Sequence, residues 1–244
     1  PPGCCQHMLV PGSQTGPGCR FATEDSTIPF TPFTCLAVET ATDLPSLALL
    51  RNGSLTVRES RGLRAPSRSV FEWVRELLDE SLVSLGDLDC IAFGAGPGSF
   101  TGVRVAVALA QGLGYASGLP LCPVSTLAAL AAGACRRTAA DAVACCLDAH
   151  MGEVYVGAYR RDAEAGVSAL APDVLVVPDA VSLPGDRVYL GAGPGWAAYP
   201  ELAGRLRGRL IGMESDILPS AGDVALLARP LFLAGRIVQP AEAQ

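Results

Sequence analysis

Three short segments of this chain carry residue types that could hold a phosphate group. The first, Gly94-Ala95-Gly96-Pro97-Gly98-Ser99-Phe100-Thr101-Gly102, lies between an apolar run and the start of a helical pattern. Glycines there let backbone N–H groups converge, and a helix N-terminus favours an anion. Its spacing is neither the G-x-G-x-x-G of dinucleotide sites nor the lysine-bearing P-loop, so tight turning at a strand end explains it equally well. The second turn, Gly191-Ala192-Gly193-Pro194-Gly195-Trp196, is open to the same two explanations. Glu39-Thr40-Ala41-Thr42 sets a carboxylate beside two hydroxyls, a set able to hold a hydrated metal or a terminal phosphate, or simply a solvated turn. Glu39, Thr40, Thr42, Gly96, Gly98 and Ser99 are therefore the candidate phosphate or nucleotide contacts.

Other chemistries find little support. The only histidines are His7 and His150; a zinc site wants several imidazoles or a cysteine cluster at set spacing, so Asp148-Ala149-His150-Met151-Gly152-Glu153 is not read as a metal site. Ser99 has no neighbouring base, which argues against a serine triad. All 18 basic residues are arginine, and the missing lysine excludes a P-loop, a Schiff base and a kinase strand lysine. The 9 cysteines form no CxxC pair. Their odd number in a chain of this length favours buried thiols in a reducing, cytoplasmic compartment over a disulfide scaffold.

The elements that must position these residues follow from periodicity. Residues 35–40, 44–53 and 54–60 read as three strands joined by tight turns, the second turn signalled by Asn52-Gly53. Residues 67–82 read as a helix with Val70, Phe71, Val74, Leu77 and Leu78 on one side and Ser67 as its cap. Trp73 lies at the edge of that stripe, either as a rim over the core or as an anchor for a partner. A helix over 101–116 is apolar nearly all round and must be covered by a domain core or by a second subunit. Its ridge of Gly102, Ala106, Ala110 and Gly114 would let another helix approach closely. Strand material follows at 119–125, 141–149, 153–161, 167–177 and 187–195, with helices at 126–137 and about 220–236. The order predicts an α/β chain of two lobes with mixed sheets flanked by helices.

Of the 244 residues, half are apolar and 17% charged, which suits a buried core. A formal net charge of -6 argues against extensive, self-sufficient nucleic-acid binding, which needs clustered cations. No run of about 18 apolar residues suggests a membrane span. Residues 1–34 are rich in Pro, Gly, Ser and Cys without a period, and read as an irregular leader lacking a signal-peptide pattern.

Taken together, CLAVETATD (35–43), the long stretch 84–134 around GPGSFTGVR, LDAHMGEVYVGAY (147–159) and GAGPGW (191–196) resemble the TsaB (YeaZ) family. The resemblance spans about residues 35–240 and implies an actin-like/sugar-kinase (ASKHA) fold. It implies an N-terminal lobe of 35–132 rejoined by 214–244, and a second lobe of 133–213. It further implies a non-catalytic subunit that binds a TsaD-type threonylcarbamoyltransferase, with a TsaE-type ATPase in the complex and a homodimer when alone. No cofactor is required, weak or shared ATP or ADP apart. Where the catalytic relative has an HxxxH pair, this chain has Thr126 and Leu130, which cannot ligate a metal as imidazoles do. The implied interface comprises Val70, Phe71, Trp73, Val74, Gly102, Ala106, Leu109 and Ala110. Departures from the family pattern include Glu39 for an aspartate, His150 for an arginine and the absence of a C-terminal Tyr-Leu-Arg segment. The alternative reading is an ATP-dependent small-molecule kinase of the same fold, acting through Glu39, Thr40 and the 94–102 turn.

Overall fold

Residues 32–60 and 67–243 are described by a computed structural model; most of the expected leader lies outside them. Strands β1 (Thr34–Glu39), β2 (Ser46–Arg51) and β3 (Ser54–Glu59) form the antiparallel meander the sequence predicts. Its second turn places Asn52 and Gly53 at φ 50° and 86°, the left-handed conformation a two-residue hairpin loop requires. Helix α1 (Ser67–Glu80) follows, then β4 (Cys90–Gly94) parallel to β1. Helix α2 (Phe100–Ser117) leads to β5 (Leu121–Val124), completing a sheet of order β3-β2-β1-β4-β5.

Helix α3 (Thr126–Arg137) crosses to a second sheet. That sheet is built from β6 (Ala142–His150), β7 (Glu153–Asp162), β8 (Gly166–Ala169) and β9 (Val174–Val176), then β10 (Tyr189–Ala192) and β11 (Leu210–Glu214). Its order is β11-β10-β6-β7-β8, with β9 also on β7. The run 167–177, read as one stretch of strand material, is thus two strands separated by a bend at Leu170-Ala171. Short helices α4 (Gly195–Ala198) and α5 (Pro200–Arg205) precede β11. Helix α6 (Ala221–Leu233) closes the order, with Pro230 inside it. The lobe boundary expected at 132/133 falls within α3, which runs unbroken across it.

Side-chain size divides the first sheet. One face carries Leu36, Val38, Leu47, Leu49, Ile91 and Phe93 and packs against α1 and α2. The other carries Cys35, Ala37, Ala48, Cys90, Ala92 and Cys122 and packs against α3 and α6. Period-two alternation puts the two sets on opposite faces, and the small set lets α6 lie close. Cys35 and Cys122 donate through Sγ to the carbonyls of Ala225 and Ala228, each at 3.8 Å. The described cysteines are all buried and unbridged. Val143, Cys145 and Leu147 of the second sheet face the same helix pair, so α3 and α6 form a layer between two sheets. Trp196 and Leu202 cover the second sheet's far face.

Helix α1 shows the packing consequence directly. Leu77 is fully buried against the first sheet, whereas Phe71 is 56% exposed. Leu77→Ala should therefore cost about 2–5 kcal/mol in urea unfolding, while Phe71→Ala should change stability by no more than about 0.5 kcal/mol.

Candidate functional site

The glycine turn after β4 folds back onto the end of β1. Ser99 N donates to Ala41 O at 2.8 Å, Thr126 N to Gly96 O at 2.8 Å, and Thr40 Oγ1 to Gly102 O at 2.6 Å. Three glycines make this approach possible. A Cβ on Gly94 would collide with the Glu39 carboxylate and one on Gly102 with the Thr40 carbonyl. One on Gly98 would lie 2.6 Å from Ala41 O. Ser99 then caps α2, its side chain accepting from Gly102 N at 3.4 Å.

Glu39 is fully buried at this junction. Ala41 N donates to Oε1 at 2.7 Å and Thr126 Oγ1 to Oε2 at 3.2 Å. Burial pushes its carboxyl up to about 7, against the opposing pull of the Ala41, Thr126 and Thr40 donors. Thr42 is partly buried, with Oγ1 lacking a hydrogen-bond partner. Of the expected phosphate contacts, Glu39, Thr40 and Gly96 are buried, Thr42 and Gly98 partly so, and Ser99 alone is well exposed. Glu39, Thr40 and the glycines meet one another, and Ala41 N, Ser99 N and the Thr40 hydroxyl are engaged within the chain. Thr126 and Leu130 are fully buried, Thr126 bonded to Glu39 and Leu130 packed beside Gly193.

Among the implied interface residues, the structure separates two groups. Val70, Val74, Ala106, Leu109 and Ala110 face the first sheet and are buried in the chain's own core. The small ridge on α2 serves that sheet: Gly102 meets Thr40, while Gly114 faces Leu121 and Pro240. Ridge and stripe therefore do not point outward, because a β-sheet supplies the close neighbour that spacing alone could assign to a second helix. Gln111 Nε2 adds to the cover by donating to Pro240 O and Ala243 O at 3.0 and 3.1 Å.

What remains open is the other side of both helices. Phe71 on α1 is exposed and Trp73 half-buried, whereas on α2 Phe100 is 69% and Tyr115 64% exposed. Ala108 lies exposed between Phe100 and Tyr115. Arg104 stacks its guanidinium 3.4 Å from the centroid of the Phe100 ring, a cation–π arrangement. A groove of about 550 Å³ runs along this side, lined by Phe100, Arg104, Val107, Gln111 and Tyr155. Tyr155 comes from β7 of the second sheet, a juxtaposition no local pattern announces. Among the described residues no group of three or more His, Cys, Asp or Glu side chains converges as a metal cage would, and no helix is long and apolar enough to cross a membrane.

The sign of the Glu39 effect is testable. Below about pH 4.5 the carboxyl is protonated in both folded and unfolded chains. As pH rises towards 7 only the unfolded chain ionises, so this group's contribution to stability is lost through that window and level above it. The loss should be roughly 3 kcal/mol. Urea unfolding at pH 5 and pH 7.5 should show a correspondingly smaller difference for Glu39→Gln than for the wild type.

Known proteins resemble this chain in sequence and in fold. A family model described as TsaD: tRNA N6-adenosine threonylcarbamoyltransferase matches residues 63–199. The tRNA threonylcarbamoyladenosine biosynthesis protein TsaB of Escherichia coli (strain K12) is 36% identical over 208 residues, covering 83% of this chain and 89% of that protein. The TsaB protein of Haemophilus influenzae is 35% identical over 210 residues, covering 82% and 86% respectively. The solved structure of YeaZ from Pseudomonas aeruginosa superposes with a TM-score of 0.80 at 38% identity, covering 86% of this chain and 97% of that one. Two mixed sheets enclosing a helix pair, with further helices outside, are the ASKHA arrangement, and the chain belongs to the TsaB (YeaZ) family.

Proposed function

We propose that this chain is a non-catalytic subunit that binds and supports a TsaD-type threonylcarbamoyltransferase in forming N6-threonylcarbamoyladenosine beside the anticodon of tRNA. The observation that carries the reading is the set of exposed aromatic side chains, Phe71 on α1 and Phe100 and Tyr115 on α2, with the Arg104 guanidinium stacked on Phe100. Exposed aromatics and arginine are the residue types that anchor protein interfaces. Relatives named for tRNA threonylcarbamoyladenosine biosynthesis supply the pathway.

A supporting rather than catalytic role rests on Thr126 and Leu130, which are buried and cannot bind a metal as a pair of imidazoles would. The lobes of this reading are residues 35–132 with 214–244, and 133–213. A TsaE-type ATPase joins the complex, the same face pairs two copies when the chain is alone, and the assembly works in the cytoplasm. Any ATP or ADP is shared with a neighbouring subunit, since Glu39 is closed off within this one. The same closure weighs against an ATP-dependent kinase, which needs its phosphate site open.

Light scattering of the purified chain with the TsaD-type protein of the same genome is the test. The wild type should give the mass of a complex, and Ala108→Arg or Phe100→Glu should weaken it by about tenfold or more. Both positions are exposed, so the folded chain should survive; Ala106→Arg would instead bury a charge in the core. No complex from the wild type, or unchanged tRNA modification in cells lacking the chain, would refute the reading.

A further inference from the structure

A second cleft, of about 710 Å³, opens between α3, α6 and β8, and no residue of the 94–102 turn lines it. The apolar side chains of Ala128, Val167, Leu227 and Leu231 share its lining with polar groups, among them Ser125, Tyr159 and Asp173. There Tyr159 Oη donates to the Asp173 carboxylate at 2.7 and 2.9 Å, and Ser125 Oγ donates to it at 2.9 Å. Ser125 in turn accepts from Ala128 N at 3.2 Å, so the hydroxyl is fixed by the start of α3. Tyr159 is buried, and a Cβ on Gly157 would collide with Asp173 Oδ1. The carboxylate is therefore seated against β7 by two donors from different elements, although Asp173 itself is exposed.

Charge in the cleft is unbalanced. Asp173 and Glu164 line it against Arg236 alone, and no ion pair within 4.0 Å neutralises either acid among the described residues. A carboxylate in a cleft with apolar side chains beside it, with both hydroxyl neighbours already donating to it, keeps acceptor capacity for a cationic donor. The volume lies in the range of small-molecule sites, which combine apolar walls with a few convergent polar groups.

We propose that this cleft binds a small organic cation, a primary ammonium or guanidinium group on an apolar carbon body, with the cation on Asp173 and the body along α6 and β8. The site is independent of the partner face and does not rest on the reading given for it.

The test titrates the isotopically labelled full chain with n-hexylammonium, hexanol and hexanoate, followed by amide resonances. Saturable shifts centred on Ser125, Ala128 and Asp173 are expected from hexylammonium. Hexanol should bind about tenfold more weakly, the loss of one charge-assisted hydrogen bond, and hexanoate should not bind there. Asp173→Asn should weaken hexylammonium by a similar factor, and Ala169→Trp, on an exposed strand position, should block the cleft while leaving the charge in place. Equal binding of hexanol, preference for hexanoate at Arg236, or shifts scattered over the acidic surface would overturn the proposal. So would undiminished affinity in a folded Asp173→Asn. Should that variant unfold, Ala169→Trp decides: hexylammonium binding that survives it overturns the site.

Discussion

Close approach of α3 and α6 to the sheets on either side is the constraint on which the rest of this structure depends. Two sheets can share one helix layer only if the facing side chains are small. The first sheet meets the requirement with Cys35, Ala37, Ala48, Cys90, Ala92 and Cys122, and α6 answers with Ala221, Ala225 and Ala228. Between the helices, Gly133 of α3 leaves just enough room for the buried Asp223 of α6, which Arg136 pairs at 2.7 Å. Burial raises the pKa of Asp223, and the arginine beside it opposes that rise. The frequency of cysteine is explained here as well: the thiols in the described residues are compact apolar fillers, and burial pushes those of Cys122 and Cys146 up to about 12, far from the thiolate that reactive chemistry needs.

That layer also bears on the corner where the glycine turn meets Glu39. Thr126 begins α3 and is drawn into a hydrogen bond with Glu39, while the glycine turn closes over the same carboxylate. The corner acts as a structural knot joining β1, β4, α2 and α3 through the hydrogen bonds of Glu39, Thr40, Ala41, Ser99 and Thr126. Apart from that corner, the outer side of α2 and the cleft beside β8 are surface features that join residues from different elements.

These two surfaces differ in kind. The helical face offers exposed aromatic rings and one stacked guanidinium over a long, shallow groove, suited to a macromolecular partner. The β8 cleft sets the Asp173 carboxylate among apolar and polar side chains, a combination suited to a small ligand. Both combine residues from distant parts of the chain: Tyr155 closes the first groove, and Ser125, Tyr159 and Asp173 meet in the second.

By itself the sequence determined most of the elements and the family. Alternation marked the strands of the first sheet, Asn52-Gly53 its tight turn, and helical spacing α1, α2, α3 and α6, because these are local properties written every two or every three to four residues. The long GPGSFTGVR segment carried the family, which comparison bears out. Short, weakly periodic pieces such as α4, α5 and β11 escaped notice, since their burial comes from packing on the second sheet rather than from their own pattern. Tertiary structure alone decided which side of α2 faces inward. An all-round apolar helix with a small-residue ridge can offer that ridge to a sheet or to another helix, and only the position of β1, β4 and the 240–243 tail settled the matter. It also closed Glu39 away from solvent and brought Ser125 to Asp173, because burial and contact between residues tens of positions apart are properties of the folded whole.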